Sequence, residues 1–167
     1  MAGRHVNRKF IAVFLLISSI LPINSSQANS SIMVKGANGE SISIATNRVK
    51  AGATVIVDGA HFDETVGIYL AYCVAPKKGE APSPCGGGAN KAGIGDASYW
   101  ISSNPPPYGK GLAIPFKPGG RFSEKLLISR RIGKFDCKKV QCAVTVRADH
   151  LLSNDRSHDI FIPVKIK

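Results

Sequence analysis

Residues 136–144 read DCKKVQCAV, which places two cysteines around a lysine-rich turn directly before an apolar run. Another pair, Cys73 and Cys85, encloses a longer loop rich in glycine and proline. Four cysteines allow three connectivities, and we favour the local pairs Cys73–Cys85 and Cys137–Cys142 because each brackets a turn that brings its ends together. Neither spacing is the C-x-x-C of zinc sites or thioredoxin-like motifs. The pattern predicts two structural disulfides, each worth roughly 2 to 3 kcal/mol, and an oxidising, extracellular compartment.

The first 28 residues have the pattern of a secretory signal peptide. A basic stretch at 4–9 precedes a mostly apolar run at 10–23, and Ser26 and Ala28 have the spacing that a signal peptidase requires. The alternative is a membrane anchor, but the apolar run is interrupted and shorter than the roughly 20 residues that span a bilayer. We therefore predict cleavage after Ala28, and nothing further along the sequence predicts a transmembrane segment.

The rest of the chain fits one domain. We predict an N-terminal extension at 29–39 and a domain at 40–167, a length that can bury roughly two-thirds of its unfolded surface. The signal peptide carries three of the 22 Lys and Arg and none of the 11 Asp and Glu, so the mature charge is 19 minus 11, or +8. A basic secreted domain is attracted to anionic polymers and surfaces.

Short apolar runs with a period near two, separated by Gly, Pro, Asn and Asp, predict an all-β protein with almost no helix. The predicted strands are 41–46, 54–58, 66–74, 122–128, 142–148 and 160–166, with a weaker one at 99–102. The run at 66–74 is apolar on both faces and is expected at the centre of a sheet. Pro163 cannot donate to a ladder, which puts the last strand at an edge or a bulge. The prediction is an immunoglobulin-like antiparallel β-sandwich of about seven strands with two local disulfides.

Residues from about 40 to 166 resemble the neocarzinostatin and macromomycin family of secreted apoproteins. The resemblance runs through 51–59, through Ile68–Cys73 and the loop closed by Cys85, and through 136–144, where the family also has Asp-Cys, four residues and Cys before a strand. It implies the sandwich fold and a cleft beside the first disulfide, where the family holds an enediyne chromophore. The family has an aromatic residue two positions after its first cysteine, whereas this chain has Ala75, and the family is typically acidic. The resemblance therefore implies a small apolar ligand rather than that particular chromophore.

A broader set of actinobacterial cell-surface proteins is also similar to this chain. The similarity runs through the segments 99–106, 147–150 and 155–157. Some of these proteins are associated with haem-uptake domains. This resemblance implies a place at the cell surface and says less about activity.

An aromatic and proline-rich loop at 99–108 is the least ordinary segment for binding. We take Tyr69, Trp100, Tyr108 and Phe116 as the candidates for binding a ligand, because rigid apolar area of this kind often makes an exposed platform. An equally weighted alternative is that Trp100 plugs the end of the sandwich while the prolines stiffen a long connection.

A basic segment at 125–139 holds six positive side chains against a single acid. The candidates for contact with an anionic surface are Arg130, Arg131, Lys138 and Lys139. The alternative, which we favour here, is a solvated hairpin edge that resists aggregation, because no aromatic residues interleave with the charges as on a nucleic-acid stacking surface. DNA enters as a partner only through charge and family resemblance.

A polar cluster near the C-terminus is the strongest candidate for chemistry. Asp149, His150, Asp155, His158 and Asp159 would serve as metal or acid–base ligands if they converged. Such a cluster is more often a polar loop between two strands, which is our interpretation.

No motif in the sequence predicts catalysis. There is no G-x-S-x-G elbow, and the glycines at 86–88 lack the Lys-Ser/Thr that follows a P-loop. We therefore expect no enzyme, no catalytic residue, no metal and no cofactor.

Two function classes remain. The first is a secreted, non-catalytic module that holds a small apolar ligand in a cleft beside the Cys73–Cys85 loop. The second is a cell-surface interaction domain without a small ligand, which contacts anionic wall polymer or a partner protein. The expected location is secreted or on the extracellular cell surface.

Overall fold

Two sheets pack face to face in the computed structural model, which describes residues 1, 3, 31–86, 94–95 and 97–167. Apart from residues 1 and 3, the predicted signal peptide and its cleavage site lie outside the described residues. So do Gly87 and Gly88 of the glycine run.

Twelve strands, numbered here in chain order, and two short 3₁₀ helices make up the regular structure of the described residues. The strands are β1 (Ile32–Lys35), β2 (Ser41–Ile44), β3 (Arg48–Val49), β4 (Ala53–Ala60), β5 (Ile68–Val74), β6 (Ile94–Gly95), β7 (Ser98–Ile101), β8 (Phe122–Ile128), β9 (Arg131–Ile132), β10 (Phe135–Asp136), β11 (Cys142–Ala148) and β12 (Ile160–Ile166). The 3₁₀ helices are Pro107–Gly109 and His150–Leu152. No helix in this part of the chain is long and apolar enough to cross a bilayer.

One sheet has four strands and the other has six. The four-stranded sheet has the order β1-β2-β4-β8, and all its pairs are antiparallel. The six-stranded sheet has the order β3-β12-β11-β5-β7-β6, in which only the β3–β12 pair is parallel. Strands β9 and β10 form a separate hairpin.

The core lies between the two sheets because alternate side chains of each strand face inward. The four-stranded sheet contributes residues such as Ile42, Val57 and Leu126, and the six-stranded sheet contributes Leu70 and Val144; all five are fully buried. Their neighbours on the outer face of the six-stranded sheet, on β5 and β11, are the residues that position the site described below.

The predicted all-β sandwich is confirmed, and each of the seven predicted strands has a counterpart. The runs at 122–128, 142–148 and 160–166 match β8, β11 and β12 at both ends. The other four correspond to β2, β4, β5 and β7, with ends that differ by one or two residues. Five short strands were not predicted, and one of them, β1, lies within the range 29–39 that we set before the domain. The boundary at residue 40 stays a prediction.

Pro163 lies on β12, which is second from the edge of its sheet, inside the two-residue strand β3, and is not the edge strand that the sequence suggested. It faces Ala143 of β11, while on the other side β3 pairs only with Lys165 and Ile166. Its carbonyl oxygen instead accepts a hydrogen bond from the Asn47 side chain at 3.1 Å. The missing donor therefore falls where the ladder has no further strand.

Both local disulfides are present, Cys73–Cys85 and Cys137–Cys142. The first joins the end of β5 to the loop that follows it, and the second closes the turn between β10 and β11. These two bonds account for all four cysteines of the sequence, each of which lies among the described residues.

Candidate functional site

The first disulfide loop covers the outer face of the six-stranded sheet at the end of β5. Cys73 and Thr145 alternate with core residues and so lie on this outer face, where the Cys73 sulfur is 3.1 Å from the Thr145 hydroxyl oxygen. Both residues are nonetheless buried. Two hydrogen bonds hold the end of the loop against β5. The Val74 N–H donates to the Pro84 carbonyl, and the Gly86 N–H donates to the Tyr72 carbonyl.

A cavity of about 440 Å³ opens beside this loop. One wall is the loop segment 75–80, and the other consists of side chains just before and within β12. We call this cavity the loop cleft. Its lining residues are Ala75, Pro76, Lys77, Lys78, Gly79, Glu80, Arg156, Asp159 and Phe161.

The apolar lining of the loop cleft follows from local sequence. Ile160 and Ile162 face the core, so Phe161 between them faces outward, where it is half-buried. The loop wall turns at residues 77–80, where the Glu80 N–H donates to the Lys77 carbonyl. Gly79 has φ of +84° there, a conformation that favours glycine.

The polar lining of the loop cleft includes an ion pair between Arg156 and Asp159. Arg156 donates to the Asp159 Oδ2 at 3.2 Å and to the Ser153 carbonyl at 2.6 Å. Burial raises the pKa of Asp159 above its usual value, and the charge of Arg156 opposes that rise. The other oxygen of Asp159, Oδ1, is buried and has no hydrogen-bond partner within the described part of the chain. A ligand with an N–H or O–H group would satisfy it.

Three of the four aromatic candidates meet at a different place. Tyr69, Trp100 and Tyr108 surround His150, whose ring centroid is 5.1 Å from that of Trp100 and 6.0 Å from that of each tyrosine. The two tyrosine hydroxyl groups each lie 2.7 Å from a different imidazole nitrogen. We call these four side chains the aromatic cluster.

Trp100 is an interior member of the aromatic cluster. Its exposed fraction is only 7%, and its indole N–H donates to the buried Asp149 at 2.9 Å. Gly109 packs so closely on the indole ring that an added Cβ would collide with it. The ring is therefore held by the proline-rich loop, whereas Tyr108 is 62% exposed.

Phe116 lies apart from the other three candidates. It is buried in the core and stacks on Phe62 at 5.9 Å between ring centroids. None of the four candidates lines the loop cleft. The structure thus brings Tyr69, Trp100 and Tyr108 together and leaves Phe116 with the core phenylalanines.

The basic candidates divide in a similar way. Arg130 forms an ion pair with Asp136 at 2.8 Å, and the carboxylate partly neutralises its positive charge. Its hydrogen bonds, with one from the Lys138 N–H, lower the pKa of Asp136 to about 2. Arg131 is exposed on β9, where it faces Asp136 across the hairpin.

A cavity of about 430 Å³ lies beside the second disulfide. Lys138, Lys139 and Lys165 line it together with Cys137 and Gln141. We call this cavity the basic cleft. Lys165 was not among the sequence candidates, because it lies far along the chain, on β12.

The polar residues from 149 to 159 do not converge on one point. His150 belongs to the aromatic cluster and Asp149 accepts a hydrogen bond from its Trp100, whereas Asp159 lines the loop cleft. His158 lies 3.7 Å from both Asp155 and Glu40. The described residues contain no group of three or more His, Cys, Asp or Glu side chains that could hold a metal ion.

Comparisons with known proteins leave the function open. No protein-family model matches the sequence, and no curated protein matches it. Macromomycin is a solved structure similar to this chain, with 11% sequence identity and a TM-score of 0.48, covering 77% of this chain and 99% of that chain. What the chain binds is therefore inferred from its own geometry.

The disulfide loop is predictable from the sequence, whereas most of the residues that face it are not. The outward position of Phe161 could have been predicted, because Phe161 alternates with the inward-facing isoleucines of β12. The sequence singled out Asp159 only as a member of the polar cluster, and Arg156 has no periodic pattern of this kind. Only the return of the chain into β12 brings them to the loop.

Proposed function

We propose that the mature chain is a secreted, non-catalytic binding protein that holds a small, mostly apolar ligand in the loop cleft. The observation that supports this most directly is the cavity itself. Its volume of about 440 Å³ is in the range of ligand sites, roughly 300 to 1,000 Å³. It also lies beside the first disulfide loop, where the family resemblance implies a cleft. Secretion is supported by the signal-peptide pattern and by the two disulfides.

The lining indicates the chemistry of the ligand. Phe161, Pro76 and Ala75 offer apolar contact to a flat or branched hydrocarbon body. Because Asp159 Oδ1 has no hydrogen-bond partner among the described residues, it favours a ligand that carries an N–H or O–H donor. Lys77 and Lys78 are exposed on the lining and favour an acceptor or anionic group at the outer end of the ligand.

The test uses the dye anilinonaphthalene sulfonate, which combines an aromatic body, an N–H donor and an anionic group. We expect saturable binding with enhanced fluorescence to the folded, disulfide-bonded protein. Phe161→Ala should weaken binding by about 1 to 3 kcal/mol, roughly fivefold to 150-fold, because it removes the largest apolar surface of the cleft.

Phe135→Ala is the matched control, since Phe135 is also a half-buried phenylalanine but lies in the β9–β10 hairpin. It should bind the dye like the unsubstituted protein. Thermal unfolding of both variants verifies that they are folded. Absence of saturable binding, or equal binding by both variants, would overturn the proposal.

A second candidate function is contact with an anionic cell-wall polymer through the basic cleft. The observation that favours it is the placing of Lys138, Lys139 and Lys165 on one cavity beside a rigid disulfide. Such a cluster attracts a polyanion in a manner that depends on ionic strength. This function needs no small ligand and uses none of the residues of the loop cleft.

A further inference from the structure

A third cavity, of about 480 Å³, is lined by other residues of the 155–159 segment than the loop cleft is. Three parts of the chain meet there: the turn between β1 and β2, the loop after β4, and the residues before β12. Its lining residues are Asn38, Glu40, His61, Phe62, Asp63, Ser157 and His158. We call it the acidic cavity. Along the segment, Ser157 and His158 face this cavity, whereas Arg156 and Asp159 face the loop cleft.

Glu40 is the unusual residue of the acidic cavity. Its side chain is 2% exposed, and neither carboxylate oxygen has a hydrogen-bond partner among the described residues. Gly36 lies directly over the carboxylate, so that a Cβ there would come within 2.6 Å of Oε1. A buried carboxylate without donors costs free energy, because it has lost its water and gained nothing in exchange.

The nearby His158 does not supply the missing donor. The Asn38 Nδ2 donates to the Ser157 carbonyl at 3.4 Å, which sets the orientation of the amide. The same nitrogen lies 3.3 Å from the His158 Nδ1, and because an amide nitrogen can only donate, Nδ1 is the acceptor there. That ring nitrogen is also the one nearest to Glu40, at 3.7 Å from Oε1. In this arrangement it has no proton to offer to the carboxylate.

The charge around the cavity selects the sign of a ligand. The chain as a whole has a formal charge of +11, yet none of the described residues that line this cavity is a lysine or an arginine. Hydrogen bonds from Thr65 lower the pKa of Asp63, so that its carboxylate is charged at neutral pH. Asp155 adds a further carboxylate 3.7 Å from the His158 Nε2.

We propose that the acidic cavity binds a primary ammonium group, with Glu40 as the residue that receives it. An ammonium group has three donors and a positive charge, which match the unpartnered oxygens of Glu40 and the carboxylate of Asp63. The cavity is large enough for the rest of an amino sugar or a polyamine. A bare metal ion fits less well, because the described residues offer no cluster of three ligands.

The test is isothermal titration of the folded protein with two amines, glucosamine and spermidine, at neutral pH and low ionic strength. We expect saturable binding of at least one of them, and the tighter of the two identifies the source of the ammonium group. N-acetylglucosamine, which lacks the charge, and tetramethylammonium, which lacks the N–H donors, should not bind.

Three variants test the role of the carboxylates. Glu40→Gln should weaken amine binding by about tenfold or more without lowering the melting temperature, because the side-chain oxygens that it replaces accept no hydrogen bond within the described residues. Asp63→Asn should weaken binding by a smaller factor, and it serves if Glu40→Gln does not fold. Asp58→Asn is the matched control on β4, where the exposed carboxylate lies outside the cavity, and it should bind like the unsubstituted protein.

Two results would overturn the proposal. One is the absence of saturable binding by either amine. The other is binding that Asp58→Asn weakens as much as Glu40→Gln or Asp63→Asn does, or that tetramethylammonium shares, since both would mean attraction by general charge. The loop cleft enters none of these measurements, so this test and the dye-binding test fail independently.

Discussion

Two buried tyrosines of the core, Tyr99 and Tyr72, differ in whether the hydroxyl group forms a hydrogen bond. Tyr99 donates its O–H to the Lys125 carbonyl. Tyr72 is fully buried, and its hydroxyl has no partner among the residues that the structure describes. Burial raises the pKa of Tyr72 to about 12, because the phenolate would be formed without water around it. The ring of Tyr72 therefore stabilises the core, while its oxygen does not.

Tyr72→Phe is expected to leave the free energy of unfolding unchanged or to raise it by about 1 kcal/mol, since it removes an unsatisfied polar group. Tyr99→Phe, the matched control, should lower it by about 1 kcal/mol because a buried hydrogen bond is lost. Urea unfolding at neutral pH measures both. An equal loss of stability in the two variants would contradict the assignment of Tyr72 as unpartnered.

The stability of Tyr72→Phe and that of the unsubstituted protein should also differ in their dependence on alkaline pH. The unfolded tyrosine ionises near pH 10 and the folded one near 12, so that above about pH 10 the unfolded state binds fewer protons. Stability must therefore fall as the pH rises from about 10 to about 12. The Tyr72→Phe protein should lose less over this window.

At the scale of elements, the β9–β10 hairpin depends on one ion pair. Asp136 accepts hydrogen bonds from the Arg130 side chain and from the Lys138 N–H, which lie on either side of Cys137 in the sequence. These bonds hold the ends of the hairpin where the chain enters β11. The basic segment is therefore anchored by its single acid.

Asp136→Asn is expected to reduce the sensitivity of the protein to acid. The folded pKa is about 2 and the unfolded value is near 4, so the stabilisation is present above about pH 4 and is lost as the pH falls towards 2. Melting temperatures between these limits should fall less steeply in the variant than in the unsubstituted protein. Arg130→Gln, which removes the other partner, should flatten the curve in the same way. A slope unchanged in both variants would show that other carboxylates dominate acid unfolding.

The length of a strand decides whether the sequence pattern predicts it. Every strand of four or more residues except β1 was predicted, because a run of that length shows either alternation or, in β5, continuous apolar residues between turn residues. The strands of two residues, such as β3 and β9, are too short to alternate. They exist because neighbouring strands offer them unpaired backbone groups.

At the scale of the whole molecule, the described surface combines cavities of different charge. The basic cleft collects Lys138, Lys139 and Lys165, whereas the lining of the acidic cavity includes Glu40 and Asp63. A polyanion should therefore bind through the basic cleft with a preferred orientation rather than through net charge alone.

The triple variant with Lys138, Lys139 and Lys165 changed to glutamine should elute from immobilised polyphosphate at lower salt than the unsubstituted protein. The reason is that a local cluster of cations contributes more than dispersed charges do to polyanion binding that salt screens. The matched control changes the exposed Lys50, Lys110 and Lys117, which removes the same net charge. Equal elution of the two triple variants would assign retention to net charge and remove the support for the basic cleft.

The fold class, the seven main strands and both disulfides could be predicted from local spacing within about a dozen residues: alternation, turn residues and the local pairs closed by Cys85 and Cys142. Which side chains share a cavity, in contrast, depends on how the sheets fold together. Phe161 meets the 75–80 loop, Lys165 meets Lys138, and Glu40 meets His158 across separations far larger than any local pattern. This is because the order of strands in a sheet places segments distant in sequence side by side. A site formed between such segments has no periodic pattern in the sequence that would predict it.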